Sequence, residues 1–414
     1  MTDVRDSPAD NAPTDEERTS AVRCPYPFTR DSAVDIPAVY EELRAECPVK
    51  PVTFPSNDEG FVLSRYADVK VALSDSRFSR RAMLDAGAPK LSSVIFPPNT
   101  LFTTDAPEHT RLRKLVTAAF TNRRITELRP RIQEITDSLL DAMAAAGSSA
   151  DLNTALSFPM PIQVICELLG VPAEDQDRFR TWSDAFVSLT HMSEEEVHKN
   201  RFALAAYLKE LVDSRRADPR DDLLSALTTK SDEDGALSEI EVVMMAITIL
   251  VAGHETTVSM TSSLVLNVLR DDALREQILT APEKTLGLVD ELLRVNPIGD
   301  GGPYRVTLED VEIGGQLIPK GSGVIASVAS ANQDEEQFPR AKSVDLERGS
   351  QGHLAFGHGI HFCLGANLAR VELEIALNSL FHRFPGIRLA DSVDNLTMRG
   401  GMLVHGLERL PVAW

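Results

Sequence analysis

The sequence predicts a mainly α fold with a smaller β-rich part, an α+β architecture in one large domain. Three observations predict it. From residue 107 to residue 294 almost every segment repeats its apolar residues at helical spacing. Ser238-x-x-Glu241 is a capping box opening an apolar helix that reaches Arg270; at ~1.5 Å per residue it is roughly 50 Å long, enough to cross a domain. Strand-like pieces gather outside that block, and no repeat or composition break divides the chain.

Residues 1–22 are acidic with almost nothing apolar and read as a disordered tail; they lack the apolar core of a signal peptide. The domain is therefore 23–414. Val39, Leu43 and Cys47 set a helix within 37–47. Strands at 49–54 and 60–64 are joined by the turn residues Ser56-Asn57-Asp58-Glu59-Gly60, and 66–73 is a short helix. Residues 79–104 keep no period and carry Gly87, Pro89, Pro97 and Pro98, a long irregular loop of the kind that serves function. Helices follow at 107–120, 125–146, 158–169, 173–189, 194–216 and 221–228, then the long one, 273–279 and 282–294. Strands are expected at 304–307, 311–313, 316–318 and 324–327, a long helix at 366–384 and a last strand at 402–405.

Composition narrows the function. Lys and Arg total 42 against 62 Asp and Glu, a net charge of −20, which argues against nucleic acid or an anionic membrane as partner. The four cysteines, Cys24, Cys47, Cys166 and Cys363, form neither a disulfide scaffold nor a C-x-x-C site. The apolar run 242–253 is shorter than the ~20 residues of a spanning helix and leads into His254 and Glu255, so it reads as a core helix of a soluble, cytoplasmic protein. Val258 stands where an H-E-x-x-H zinc site needs its second histidine, and Phe362 where a dinucleotide fingerprint needs glycine. No G-x-S-x-G elbow or phosphate-cradling G-x-x-x-x-G-K is present.

What remains is the stretch from Phe356 to Arg370, with one cysteine between glycine-rich backbone and the start of a helix. A lone cysteine is ordinarily a small buried hydrophobe. Here Gly357, Gly359 and Gly365 permit tight turns and close approach of something flat, and helix-start N–H groups stabilise an anionic sulfur. Such a thiolate suits the axial position of a haem iron. The block Phe356-x-x-x-x-x-x-Cys363-x-Gly365 with Gly359 fits F-x-x-G-x-x-x-C-x-G, and the sequence resembles the cytochrome P450 family of haem-thiolate monooxygenases.

Three further blocks match in the family's order. Glu291 and Arg294 form an E-x-x-R pair on one helix face; alone it would be an ordinary solvated ion pair. The resemblance buries it beneath the haem with Arg348 as third member, although Glu335, Ala341, Lys342 and Val344 depart from the usual loop. Ala252-Gly253-His254-Glu255-Thr256-Thr257 sits mid-way along the long helix, where a glycine and a back-bonding threonine favour a local opening. A helix-packing notch is the alternative; the resemblance implies an oxygen-activating groove, with Thr256 positioning dioxygen and Glu255 relaying protons, and Ala252 and Gly253 beside the haem. His109 and Arg113 share a helix face, and by resemblance they, Arg305 and His361 bind the haem propionates, which need charge-assisted bonds in a buried pocket.

The resemblance implies the cytochrome P450 fold, with haem b (iron protoporphyrin IX) between the long central helix and the cysteine-loop helix. It further implies a monooxygenase of the soluble actinobacterial type, taking O2 and electrons from NAD(P)H through a separate ferredoxin and ferredoxin reductase. Arg111, Lys114, Arg123 and Arg124 form a local basic cluster suited to steering an acidic ferredoxin. Met83, Ile95, Phe96, Phe186, Thr248, Val251, Ala252, Ile298, Met402 and Leu403 lie where family members line the substrate pocket. Their apolar character points to a bulky, largely apolar small molecule; the resemblance implies a secondary metabolite undergoing hydroxylation or epoxidation. Oxidative C–C or C–O coupling is the alternative, and a non-enzymatic haem sensor or carrier the alternative of a different class.

Overall fold

A computed structural model of the chain describes residues 23–30, 32, 35–92, 97–172, 175–234, 237–296, 298–299, 302–348 and 352–414. The acidic tail at 1–22 and the expected pocket residues Ile95 and Phe96 lie outside the described residues.

Helices dominate. The elements up to the long helix are β1 (Cys24–Pro25), α1 (Val39–Glu46), β2 (Val49–Thr53), β3 (Glu59–Leu63), α2 (Tyr66–Ser74), β4 (Phe78–Ser79), α3 (Glu108–Thr117), α4 (Asn122–Ala146), β5 (Ser149–Asp151), α5 (Pro159–Leu169), α6 (Gln176–Val187), α7 (Glu194–Ala217) and α8 (Leu223–Asp234). The long helix is α9 (Glu239–Arg270), followed by α10 (Asp272–Thr280), α11 (Thr285–Val295), β6 (Tyr304–Thr307), β7 (Val311–Ile313), β8 (Gln316–Ile318), β9 (Gly323–Ala326), α12 (Val328–Ala331), α13 (Ala366–Arg383), β10 (Arg388–Leu389) and β11 (Pro411–Ala413).

The capping box that opens α9 is formed in full: the Ser238 hydroxyl accepts from the Glu241 N–H while the Glu241 carboxylate accepts from the Ser238 N–H. By length and composition α9 could cross a membrane, yet most of it is buried within the fold. It packs against α5, α7 and α13, and their apolar faces make one core with α4 and α11. Gly253 lies at this packing: a Cβ there would stand 2.8 Å from Ile165 Cδ1 on α5.

The β part is a six-stranded sheet in the order β1-β2-β3-β9-β6-β4. Parallel pairing of β3 with β9 joins the N-terminal strands to the later ones. Tyr304 and Val306 of β6 enter a core shared with Phe28, Tyr40 and Val52, so strand alternation sends Arg305 to the opposite face.

Residues 402–405 do not form the expected strand. Their backbone bonds go to unrelated partners, Leu403 N–H to the Val187 carbonyl at 2.7 Å and His405 N–H to the Ile298 carbonyl at 2.8 Å, so no ladder develops. The C-terminal strand is instead β11, in a small sheet ordered β10-β11-β5. Strands of two or three residues are too short to display a period.

Candidate active site

The cysteine loop is shaped by backbone. Gly357 N–H donates to the Leu354 carbonyl and Cys363 N–H to the Phe356 carbonyl, both at 2.8 Å. Gly359, at φ +71°, also lies where a Cβ would meet Leu73 and Ser74 backbone within 3.0 Å, so only glycine fits. Gly357 has φ +75° and Gly365 ends the loop ahead of α13. Cys363 is exposed. Burial pushes its thiol up, outweighing the Gly365 N–H and the charges of Arg113 and Arg370, which favour the anion.

Along α9 the less buried residues recur on one face: Met244, Thr248, Val251, Ala252 and Thr256, with Ala252 exposed in the middle of an otherwise buried helix. The Thr256 hydroxyl donates back to the Ala252 carbonyl at 2.7 Å, and the helix continues without a break. Glu255 is buried on the adjacent side, its Oε2 accepting from Arg399 at 3.3 Å. Burial works to raise its pKa, but His254 and Arg399 hold its carboxyl below the usual range.

A second cluster is built from four elements. His109 and Arg113 come from α3, Arg305 from β6, His361 from the turn before Cys363, and Arg80 from the segment after β4. The His109 and His361 rings lie 4.1 Å apart. His109 Nδ1, His361 Nε2, Arg305 Nη2 and Arg80 Nε are buried and have no hydrogen-bond partner. Burial and the neighbouring Arg113 and Arg80 push His109 down to about 4. Burial and the cations Arg80, Arg305, His109 and Arg113 push His361 far down, and burial brings Arg305 to about 10. Asp105 is the nearby acid, and it already accepts from the Ser79 hydroxyl and the Arg80 and Arg81 N–H groups. Buried donors in such excess call for an anionic ligand.

Glu291, Arg294 and Arg348 meet in one network. Arg294 donates twice to Glu291, at 2.7 and 2.8 Å, and Arg348 Nε once, at 3.0 Å. The remaining Arg294 N–H groups reach the carbonyls of Asn332, Ala341 and Ser343. The unusual loop sequence is accommodated by Glu335, whose carboxylate accepts from the Arg340 and Ala341 N–H groups at 3.0 Å.

Of the expected pocket residues, Val251, Ile298, Met402 and Leu403 come together with Val187 and Val404 in one apolar cluster. Thr248 shares the open face of α9 with Ala252. Phe186 packs on the main core under the Arg201 guanidinium. Met83 does not join them: it is 8% exposed and belongs to the core beside the sheet, with Tyr40 and Tyr304. The basic cluster is largely neutralised, because Arg111 pairs with Glu108 and Glu241, Arg123 with Glu127, and Arg124 with Asp221 and Glu127. Lys114 is exposed. Beside the cysteine loop, Lys70, His358 and Arg370 line a cleft of about 310 Å³ with Phe356 and Phe362. The sequence reading missed Arg80, Arg399 and Asp184, which stand in no motif and become visible only where other elements approach them.

The sequence matches the cytochrome P450 family over residues 52–213 and 171–403. It is 44% identical over 391 residues to the nocardicin C N-oxygenase of Nocardia uniformis subsp. tsuyamanensis, covering 94% of this chain and 98% of that one. It is 43% identical over 397 residues to the mycinamicin IV hydroxylase/epoxidase of Micromonospora griseorubida, covering 96% and 100%. The structure of the mixed-function P450 MycG superposes with a TM-score of 0.88 at 42% identity, covering 95% of this chain and 100% of that one. The chain belongs to the cytochrome P450 family. It is thus a haem-containing monooxygenase, an oxidoreductase acting on a small molecule with O2 and a redox partner.

Proposed function

We propose that Cys363 supplies the sulfur ligand of the haem, that His109, Arg113, Arg305, His361 and Arg80 hold its propionates, and that the chain oxygenates a bulky, largely apolar secondary metabolite in the cytoplasm. The observation that carries this reading is the group of buried donors left without partners around His109 and His361, of which His361 belongs to the same loop as the exposed sulfur. Two carboxylates satisfy such a cluster with charge-assisted bonds. Phe356, Gly357 and Gly365 shape the loop that presents the sulfur. When bound, the haem supplies the activation of dioxygen with electrons from NAD(P)H.

The remaining residues orient substrate and move protons. Thr256 projects from the open face of α9, and its hydroxyl can turn from the Ala252 carbonyl to hold a water or an oxygen atom. Glu255 is the nearby acid from which protons pass. The wall of Val187, Val251, Ile298, Met402 and Leu403 excludes water and accepts apolar substrate surface. Relatives named for nocardicin C and mycinamicin IV support a secondary metabolite as substrate class. A ferredoxin, with its reductase, is the electron donor. Its docking face lies on the side of the cysteine loop, where Lys70 and His358 line a cleft with Arg370, itself paired with Asp290.

The test is the absorption spectrum of the reduced protein with carbon monoxide. A red-shifted Soret band is expected, and Cys363→Ala should lose it while keeping the far-UV circular dichroism of the parent. A reduced carbon monoxide complex with the Soret position of a nitrogen-ligated haem would overturn the assignment. A screen for low-to-high spin shifts then identifies ligands that enter the pocket.

A further inference from the structure

The hairpin 397–408 ties three parts of the molecule together. Arg399 N–H donates to the Gly406 carbonyl and Glu408 N–H to the Thr397 carbonyl, both at 2.8 Å, closing the hairpin. At its tip the Gly401 carbonyl accepts from the N–H groups of Leu189, Thr190 and His191, just beyond the end of α6. At its base the His405 carbonyl accepts from the Ser259 hydroxyl on α9. From this hairpin the Arg399 side chain reaches two acids on different helices, Asp184 of α6 and Glu255 of α9.

Beside α9 lies a small recess of mixed lining, with Asn153, Arg180, Glu255, Ser259, Ser262, Arg399 and Glu408 as its polar side chains and Phe158, Val258, Val404 and Leu407 as its apolar ones. Its free volume of about 20 Å³ is enough for a water molecule, and the lining offers several polar partners. Glu255 lines this recess, is 2% exposed, and its Oε1 has no hydrogen-bond partner. His254 Nδ1 stands 3.2 Å away but is not aligned as a hydrogen bond.

We propose that Arg399 is a positioning residue that ties proton supply at Glu255 to the place of helix α6, through a guanidinium shared between Glu255 and Asp184 at the mouth of a water-sized inlet. The inference rests on the reading of Glu255 as the acid that delivers protons. Each proton that leaves Glu255 toward the Thr256 side is replaced by one from water in the recess, and bulk solvent restores that water. When α6 draws Asp184 away, Arg399 falls wholly to Glu255, holds it as a carboxylate and blocks the inlet. While Asp184 shares the guanidinium, Arg399 holds Glu255 less firmly, and Glu255 takes up a proton more readily than when it holds Arg399 alone.

The charged groups facing Glu255 are His254 on its own helix, Arg399 and Glu408 from the hairpin, and Asp184 and Arg180 from α6. Burial and the Glu255 charge push Asp184 up, while His254 and Arg399 keep Glu255 down against the effect of its own burial. Two buried carboxyls competing for one guanidinium titrate as a pair.

The test uses the haem-loaded protein with NADPH, dioxygen and a surrogate plant-type ferredoxin with its reductase, without added substrate. NADPH oxidation and its solvent deuterium isotope effect are measured for Glu255→Gln, Asp184→Asn, Arg399→Gln and Arg399→Lys. Glu255→Gln should slow oxidation about 100-fold, the effect of losing a proton-transfer group. Asp184→Asn leaves Arg399 to Glu255 alone and should slow it by up to about tenfold with a larger isotope effect, as a one-unit fall in proton affinity implies. Arg399→Gln should move the isotope effect the other way, toward one, with Arg399→Lys between it and the parent. Independently of turnover, Arg399→Gln should raise deuterium uptake at 184–191 and 397–407 together. If Asp184→Asn and Arg399→Gln shift the isotope effect in the same direction, or not at all, while Glu255→Gln slows oxidation, the role given to Arg399 is wrong. If Glu255→Gln changes nothing, the assignment of Glu255 itself fails first.

Discussion

Replacing Arg294 tests whether the buried network is held by charge or by the geometry of one guanidinium. Arg294 is 1% exposed and places five N–H···O bonds: two to Glu291 and one each to the carbonyls of Asn332, Ala341 and Ser343. A bond from a charged donor contributes about 1.5–3 kcal/mol, so the three carbonyls alone put the loss at about 4.5 kcal/mol or more. Arg294→Met also strands the Glu291 carboxylate with only Arg348 and the Asp345 N–H. Removing one partner of a buried ion pair costs about 3–5 kcal/mol, and less here because Arg348 stays 3.0 Å from Glu291. Against a total stability of about 5–15 kcal/mol, the single variant should not accumulate as folded, haem-loaded protein.

The informative variant is double, Arg294→Met with Glu291→Leu. Buried ion pairs replaced by apolar residues of similar volume are often neutral or stabilising. Here the three loop carbonyls would remain without donors, so the double variant should still lose about 4–5 kcal/mol. Arg294→Lys keeps the charge but has three donors for five acceptors, and should lose about 2–3 kcal/mol. Urea unfolding followed by far-UV circular dichroism, with haem absorbance in parallel, measures each. A double variant within about 1 kcal/mol of the parent would refute the argument, because it would show that the guanidinium matters only as the partner of Glu291.

Glu372 is buried with Oε2 unpartnered, and burial raises its pKa far above the ordinary 4.5. The folded chain then keeps a proton that the unfolded chain releases, so this group lowers stability as pH rises above about 4.5; Glu372→Gln should raise the melting temperature at neutral pH and not near pH 4.5. Arg80→Met and Arg305→Met should each speed haem transfer to an apoglobin scavenger about 10- to 100-fold, the loss of one charge-assisted bond. Arg131→Met, which breaks only surface pairs with Glu134 and Glu167, should leave that rate unchanged. Gly302→Ala would drive its Cβ into the Ala326 carbonyl on β9 and should destabilise by about 1–3 kcal/mol in thermal melts, with equal far-UV spectra before unfolding.

Periodicity alone placed the long helices, because each buries one face and so repeats its apolar residues at helical spacing. That is why α9 could be bounded from Ser238 to Arg270 by its cap and its pattern. The cysteine loop was legible for a related reason: a left-handed turn at Gly357 and Gly359 must be written as glycine. Local chemistry does not reveal which side chains from distant segments meet. Nothing around Arg80 marks it out until β4 pairs with β6 and brings it toward Arg305 and His361. The strand expected at 402–405 fails because alternation describes a face, not a neighbour, and this segment bonds to Val187 and Ile298 instead. Tertiary structure likewise decided that Arg111, Arg123 and Arg124 are neutralised by acids, two of which, Glu241 and Asp221, lie about a hundred residues away along the chain. The sequence by itself determined the long helices and the one cysteine loop; only packing determined the short strands, the shared guanidinium of Arg399 and the unpartnered donors, since these arise where distant segments converge.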